Sequence, residues 1–289
     1  MKKPTIRTFT PISAVAAVFG LAASSANAQN VFTANFPASW AGTGTVVTDQ
    51  GTPSNTGAMT GSTRNYSTTA VPSWAAAGTG SLDLPSRTAG GIKVTPDQLL
   101  NNAAVLSAGG FTYNIDFLWN GTDSTQFTHI QKLIDYAGTE SLQLVTTASG
   151  TATLEMTMNA SDNSTVGNEQ VVASTTINQN TWYDVSMRFN VSGQVGSDPV
   201  GIASLLIDTT GSNPTLVSAG SGMKGQYGDD YNRPIAIGEF GYGVSTSLIG
   251  LAGDIYSAQI LLGAIPEPST VALGALGGFA ALLLRRRKS

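Results

Sequence analysis

The strongest constraint on this chain is a run of nine residues, Phe111-Thr112-Tyr113-Asn114-Ile115-Asp116-Phe117-Leu118-Trp119. Its odd positions are all aromatic or aliphatic, and most of its even positions are polar. Such alternation puts every large apolar side chain on one face of an extended strand, whereas a helix would scatter them around its axis. Trp182 to Val191 repeats the pattern, with Tyr183, Val185, Met187, Phe189 and Val191 in phase. His129 to Tyr136, Ser141 to Thr146, Thr151 to Met158, Ile202 to Asp208, Pro234 to Ile237 and Asp254 to Leu262 continue it. Upstream, Val31 to Phe36, Ser81 to Leu84 and Gly91 to Val94 are shorter strand candidates. Trp40 to Gly80 is dense in Gly, Thr, Ser and Asn and reads as long surface loops with one or two edge strands. Thr95-Pro96-Asp97-Gln98 has capping-box spacing with Pro at the first helical position, which predicts one short helix ending near Asn101-Asn102. Short strands with one apolar face each, bounded by turns, predict an all-β fold: an antiparallel two-sheet β-sandwich.

The two ends of the chain belong to a different kind of structure. Lys2, Lys3 and Arg7 precede an apolar core from Ile12 to Ala23, and Ala26-Asn27-Ala28 supplies a small-x-small cleavage site. Residues 1–28 therefore read as a signal peptide for the secretion translocon, with Gln29 opening the mature chain. At the other end Pro266-Glu267-Pro268 makes an extended break, because each proline fixes φ and withholds a backbone donor. No charge appears from Ser269 to Leu284, and Arg285-Arg286-Arg287-Lys288-Ser289 follows. The order predicts a transmembrane helix over about 269–284 with the basic tail 285–289 left on the cytoplasmic side. Its 16 residues rise roughly 24 Å at ~1.5 Å each, short of a ~30 Å hydrocarbon core. That suits temporary insertion, although a permanent anchor is the direct alternative.

These three ordered elements over 264–289 resemble the PEP-CTERM sorting signal of Gram-negative bacteria. The resemblance implies a membrane processing enzyme of the exosortase type as partner, acting near Pro266, Glu267 and Pro268, with Arg285, Arg286 and Arg287 as the stop. It also implies a cell that makes exopolysaccharide.

The N-terminal signal and the basic tail hold half of the 14 basic residues, so the exported part carries seven cations against 18 acidic residues from Asp49 to Glu267, a net charge of about −11. The seven are scattered, whereas binding a phosphate backbone needs clustered cations; nucleic acid is excluded as a partner. There is no cysteine, hence no disulfide, thiolate metal site or cysteine nucleophile. The exported part must be stabilised by its core alone, and residues 29–263 are long enough for one large β domain.

The order of the strand candidates resembles the concanavalin A-like jelly roll of the laminin G-like type. Asn180-Thr181-Trp182-Tyr183-Asp184-Val185, Ala203 to Asp208, Pro234 to Gly238 and a closing Gly253 to Ile260 carry the likeness. Two departures stand out: Asp208-Thr209-Thr210-Gly211 replaces a tight Asp-Gly turn, and Tyr256-Ser257 stands where an acidic pair is usual. The resemblance implies a surface used for glycans or matrix proteins, with calcium often held at the rim.

Catalytic patterns are weak. The related glucanases set carboxylates on one strand as Glu-x-Asp-x-Glu; here Glu155 has no acid two residues on. His129 is the single histidine, in a strand-like run, and reads as an ordinary strand-surface residue. No catalytic residue is assigned, and the function expected is a non-catalytic, exported surface or matrix protein that binds exopolysaccharide or matrix partners. A glycan hydrolase or lyase on the same fold, or a purely structural surface protein, are the alternatives. Gly228-Asp229-Asp230-Tyr231-Asn232 offers Asp229, Asp230 and Asn232 to a hard cation such as calcium, against the commoner reading of a solvated acidic loop. Trp40, Trp74 and Tyr231 lie in loop-like segments and are candidate aromatic platforms for sugar; Trp119 and Trp182 belong to packing.

Overall fold

The computed structural model describes residues 28–37, 46–48, 55–60, 65–86, 89–95, 100–120, 129–136, 140–148, 151–160, 169–211, 214–224, 234–239 and 248–263. In chain order the strands are β1 (Gln29–Pro37), β2 (Val46–Thr48), β3 (Thr56–Met59), β4 (Asn65–Ser67), β5 (Thr79–Leu84) and β6 (Ile92–Thr95). After the helix α1 (Asn102–Ala108) come β7 (Gly110–Trp119), β8 (His129–Tyr136), β9 (Glu140–Ala148), β10 (Thr151–Ala160) and β11 (Glu169–Asn178). Then follow β12 (Trp182–Val195), β13 (Asp198–Asp208), β14 (Thr215–Lys224), β15 (Ile235–Ile237), β16 (Leu248–Gly250) and β17 (Gly253–Leu262).

Their pairing gives the expected sandwich of the jelly-roll kind. In the front sheet β17 is flanked by β7 on one side and by β1 and β5, end to end, on the other. β12, β13 and β14 follow β7 in order, and β4 lies outside β5. The back sheet runs β2, β3, β6, β15, β8, β9, β10, β11, with β16 beside β8 as a parallel partner. The last residues of β14 pair with the end of β10 and join the two sheets there.

Alternation does what the sequence requires of it. Phe111, Tyr113, Ile115, Phe117 and Trp119 of β7 are all buried between the sheets, as are Val185, Met187 and Phe189 of β12. Leu142, Leu144, Leu154, Met156 and Met158 face them from the back sheet. Phe111 lies 5.0 Å from Tyr113 and 5.5 Å from Phe189, measured between tilted ring centroids, an arrangement that adds to area burial. Phe32, Ala34 and Phe36 of β1 close the core at the sheet edge.

Two expectations need correction. Thr95 ends β6, and residues 96–99 of the expected helix lie outside the described residues; the described helix starts after Asn101, where one was expected to stop. Asn101 is extended and its side chain accepts from the Ala104 N–H, so a better cap sits directly before the Ala-rich run that forms the helix. Within Trp40–Gly80, the described residues hold three short strands and the start of β5, and β3 lies between β2 and β6 as an interior strand. Its Thr-Gly-Ala-Met run has one large apolar residue, Met59, so it carries no period.

Candidate functional site: an aspartate row on the front sheet

Antiparallel register assembles a feature that is dispersed in the sequence. Asp184 on β12 lies opposite Asp116 on β7 and opposite Asp208 on β13. Asp116 lies opposite Ser257 on β17, and Ser257 opposite Asn35 on β1. One polar row thus crosses five strands on the outer face. Each member occupies the phase that alternates with buried Ile115, Phe117, Val185 and Ala34.

The row is organised by hydrogen bonds. Ser257 Oγ donates to the Asp116 carboxylate, and the Trp74 side chain hydrogen-bonds the same group. Asp208 closes a turn on itself, accepting from the Thr209 N–H at 2.7 Å and the Thr210 N–H at 3.0 Å. One rung inward, Ser186 Oγ donates to Asn114 Oδ1 at 2.8 Å, Asn114 Nδ2 to Gln259 Oε1 at 3.2 Å, and Arg188 Nε to Ser186 Oγ at 3.1 Å.

Three neighbouring carboxyls on a partly buried surface cannot all ionise freely. Burial, then the charges of Asp116 and Asp208, push Asp184 up to about 6 against the pull of Arg188. Asp116 is also raised by burial, with the Ser257 and Trp74 hydrogen bonds opposing. A second pair lies across β5 and β17, where Asp83 stands opposite Asp254. Burial followed by the Asp83 charge takes Asp254 to about 6, although it accepts a 3.0 Å bond from Ser81 Oγ.

The aromatic side of the site comes from the segment before β5. Trp74 is half-buried and lies against Gly211, where a Cβ would stand 2.3 Å from its Cγ. Gly211 has φ of +70°, so the turn after Asp208 needs glycine for both its backbone and the indole above it. Tyr256 is the extra residue of a bulge in β17, and its hydroxyl accepts from the Ala76 N–H at 2.8 Å and lies 3.0 Å from Thr79 Oγ1. The Tyr256-Ser257 departure thus has a role: one residue pins the Trp74 segment and the other holds Asp116. Acceptors beside an aromatic edge, some protonated near pH 6, can both give and take hydrogen bonds from hydroxyl-rich ligands.

Of the site residues read from sequence, the structure brings Trp74 into this row. Trp119 is core and Trp182 half-buried, in keeping with packing. His129 opens β8, opposite Thr146, and Glu155 accepts from Gln143 Nε2 at 3.0 Å. Ala28 is half-buried beside Gly263. Trp40, Tyr231, Asp229, Asp230, Asn232, Ala26, Pro266, Glu267, Pro268, Arg285, Arg286 and Arg287 lie outside the described residues, as does the expected membrane segment 269–284. Among the described residues no group of three or more His, Cys, Asp or Glu side chains is placed to hold a metal, and no helix is long and apolar enough to cross a membrane. Sequence reasoning missed Asp116, Asp184 and Asp208 as a set. Their common signal was an aspartate at the polar phase of three strong strands, and only the register makes them neighbours.

Residues 264–288 match the family model of the PEP-CTERM protein-sorting motif. The chain carries a PEP-CTERM sorting motif. That motif marks an exported protein with a C-terminal sorting region and is the recognition signal for exosortase processing. No curated protein matches the chain. Among solved structures, the binding domain of Paraclostridial Mosquitocidal Protein 1 is similar at 11% identity and a TM-score of 0.47, over 85% of this chain and 51% of that one. The PL-14 alginate lyase from Aplysia kurodai is similar at 12% identity and a TM-score of 0.40, over 81% and 99%. The CBM40 domain of the Ruminococcus gnavus IT-sialidase, bound to α2,3-sialyllactose, follows at 14% identity and 0.31, over 59% and 85%.

Proposed function

We propose that this protein is a non-catalytic component of the cell surface or extracellular matrix that binds exopolysaccharide or a matrix partner through its sandwich. In this reading residues 1–28 direct secretion and are removed, residues 29–263 form the binding domain, and residues 264–289 hold the chain in the membrane until exosortase acts near Pro266. The sorting motif at 264–288 is the observation that carries it. The outer-face row of Asp116, Asp184 and Asp208 beside Trp74 supports a polar, hydroxyl-rich ligand. With an exported charge of about −11, an acidic polymer is held only if a cation offsets repulsion, whereas a neutral one needs none.

The mature protein on a glycan array, run with calcium and with chelator, tests this. Retention of a glycan that drops at least about tenfold in Asp116→Asn/Asp184→Asn supports the row as the binding face, since a charged hydrogen bond is worth about 1.5–3 kcal/mol. Retention of nothing in either condition leaves a purely structural role.

One observation favours a second reading, an enzyme that cleaves glycans. Asp116 and Asp184 are direct cross-strand neighbours, a placement that puts side chains roughly 5 Å apart, near the spacing of retaining glycosidases. Turnover of a polysaccharide, lost in Asp184→Asn, would establish it.

A further inference from the structure

The mature chain begins and the sandwich ends at one corner. Gln29 pairs with Leu262 on the last rung between β1 and β17. Gly263 donates its N–H to Gly110 O at 2.7 Å, and its φ of +113° turns the chain out of the sheet. A Cβ at Gly263 would lie 3.2 Å from Ala28 Cα and 3.7 Å from Ala108 O, so the corner is closely filled by the chain's own start and by α1.

The longest hairpin of the front sheet points beyond the same corner. Gly110 is opposite Asn190 on β12, and the strand continues from Val191 to Val195 before turning at Gly196-Ser197. Five residues of strand reach about 16 Å past that rung. The hairpin is held at its base, where Val191 donates its N–H to Gly109 O at 2.9 Å, and beside its tip, where Asn102 Nδ2 at the start of α1 donates to Asp198 Oδ1, the residue opposite Val195, also at 2.9 Å. From Val191 to Ser197 it carries no charge, and Val195 near the tip is 57% exposed.

The sorting motif has a shorter reach. Pro266 is three residues after Gly263, so even a fully extended tether carries it only about 10 Å from the sheet. The hairpin stands two strands to the side, roughly 10 Å away, and extends further. An active site closing on Pro266-Glu267-Pro268 thus works within about 10 Å of the corner that the hairpin flanks.

We propose that the β12–β13 hairpin is a second contact for the membrane enzyme that processes the sorting motif, with Val195 as its apolar tip. The proposal rests on the processing reading above. The charge the ribbon carries near its tip is Asp198, opposite Val195, so it offers no cation for anionic lipid headgroups. Tail removal is followed by pulse-chase in the producing cell, with mass spectrometry of the C-terminus. Val195→Lys should slow it about tenfold, the effect of losing one anchoring contact and placing a charge there. Its thermal midpoint should stay unchanged, because the side chain is exposed. Ten Gly/Ser residues inserted between Gly263 and Ala264 should make processing indifferent to Val195→Lys, since the longer tether frees the motif from the corner. Equal rates for wild type and Val195→Lys overturn the hairpin contact and leave processing intact. A wild-type surface protein that retains Lys288-Ser289 overturns the processing reading and this contact together.

Discussion

Asp184 shows how a single residue records the conflict between folding and surface chemistry. Its carboxyl is moved up to about 6, first by burial and then by Asp116 and Asp208. The unfolded chain lets it ionise near 4. Between about pH 4 and 6 the folded state keeps a proton that the unfolded state releases, so this group's contribution to stability falls as pH rises through that window. Above about 6 the cost is fully present. Asp254, also raised to about 6, acts in the same direction. Asp184→Asn removes the buried charge while keeping the shape. It should raise the thermal midpoint at pH 7.5 by roughly a few degrees, with the gain fading as pH is lowered to about 4. Unfolding curves at both pH values decide it. A lower midpoint at pH 7.5 would show that the Arg188 attraction outweighs burial.

Elements were legible in the sequence in proportion to the size of the side chains they bury. β7 and β12 bury five and four large apolar residues in phase, and both stand where the alternation put them. β11 and β14 are as long, yet they escaped notice. β11 buries only Ala173 and Ile177 while exposing Val171, and β14 exposes Leu216 among small residues, so neither shows a period. The aspartate row was illegible for another reason: its members are 68 and 24 residues apart in sequence, and hairpin order alone does not set a register. α1 went unread because a single asparagine is a weaker signal than a capping-box pattern. Seven residues are too few to hold a helix without packing or caps. Asn101→Ala should therefore cost about 0.5–2 kcal/mol, measured as a lower denaturant midpoint with an unchanged slope. No change would mean that packing of Val105 against the sheet holds α1 unaided.

At the scale of the whole molecule, the strand order separates two poles. The start of β1, Gly263, α1 and the β12–β13 hairpin gather at one end of the front sheet. The aspartate row lies toward the other, five residues along β7 from the Phe111–Leu262 rung, or about 17 Å. Six residues join Gly263 to Ser269, a tether of at most about 20 Å, so a chain still held by its tail cannot tumble freely. If the tail spans the bilayer as proposed, the corner faces the membrane and the aspartates face outward, toward the proposed ligand. Because the chain has no cysteine, single labels can be placed cleanly. Spin labels at Ser197→Cys on the hairpin and Ala77→Cys beside the Trp74 segment are both exposed. In the tail-bearing precursor in membranes, a lipid-dissolved relaxation agent should broaden the label at 197 strongly and the one at 77 weakly. Removal of the tail should abolish the difference. Equal broadening at both positions before processing would mean that the domain hangs from its tether without a preferred face, and the outward presentation of the aspartate row would then have to come from its ligand.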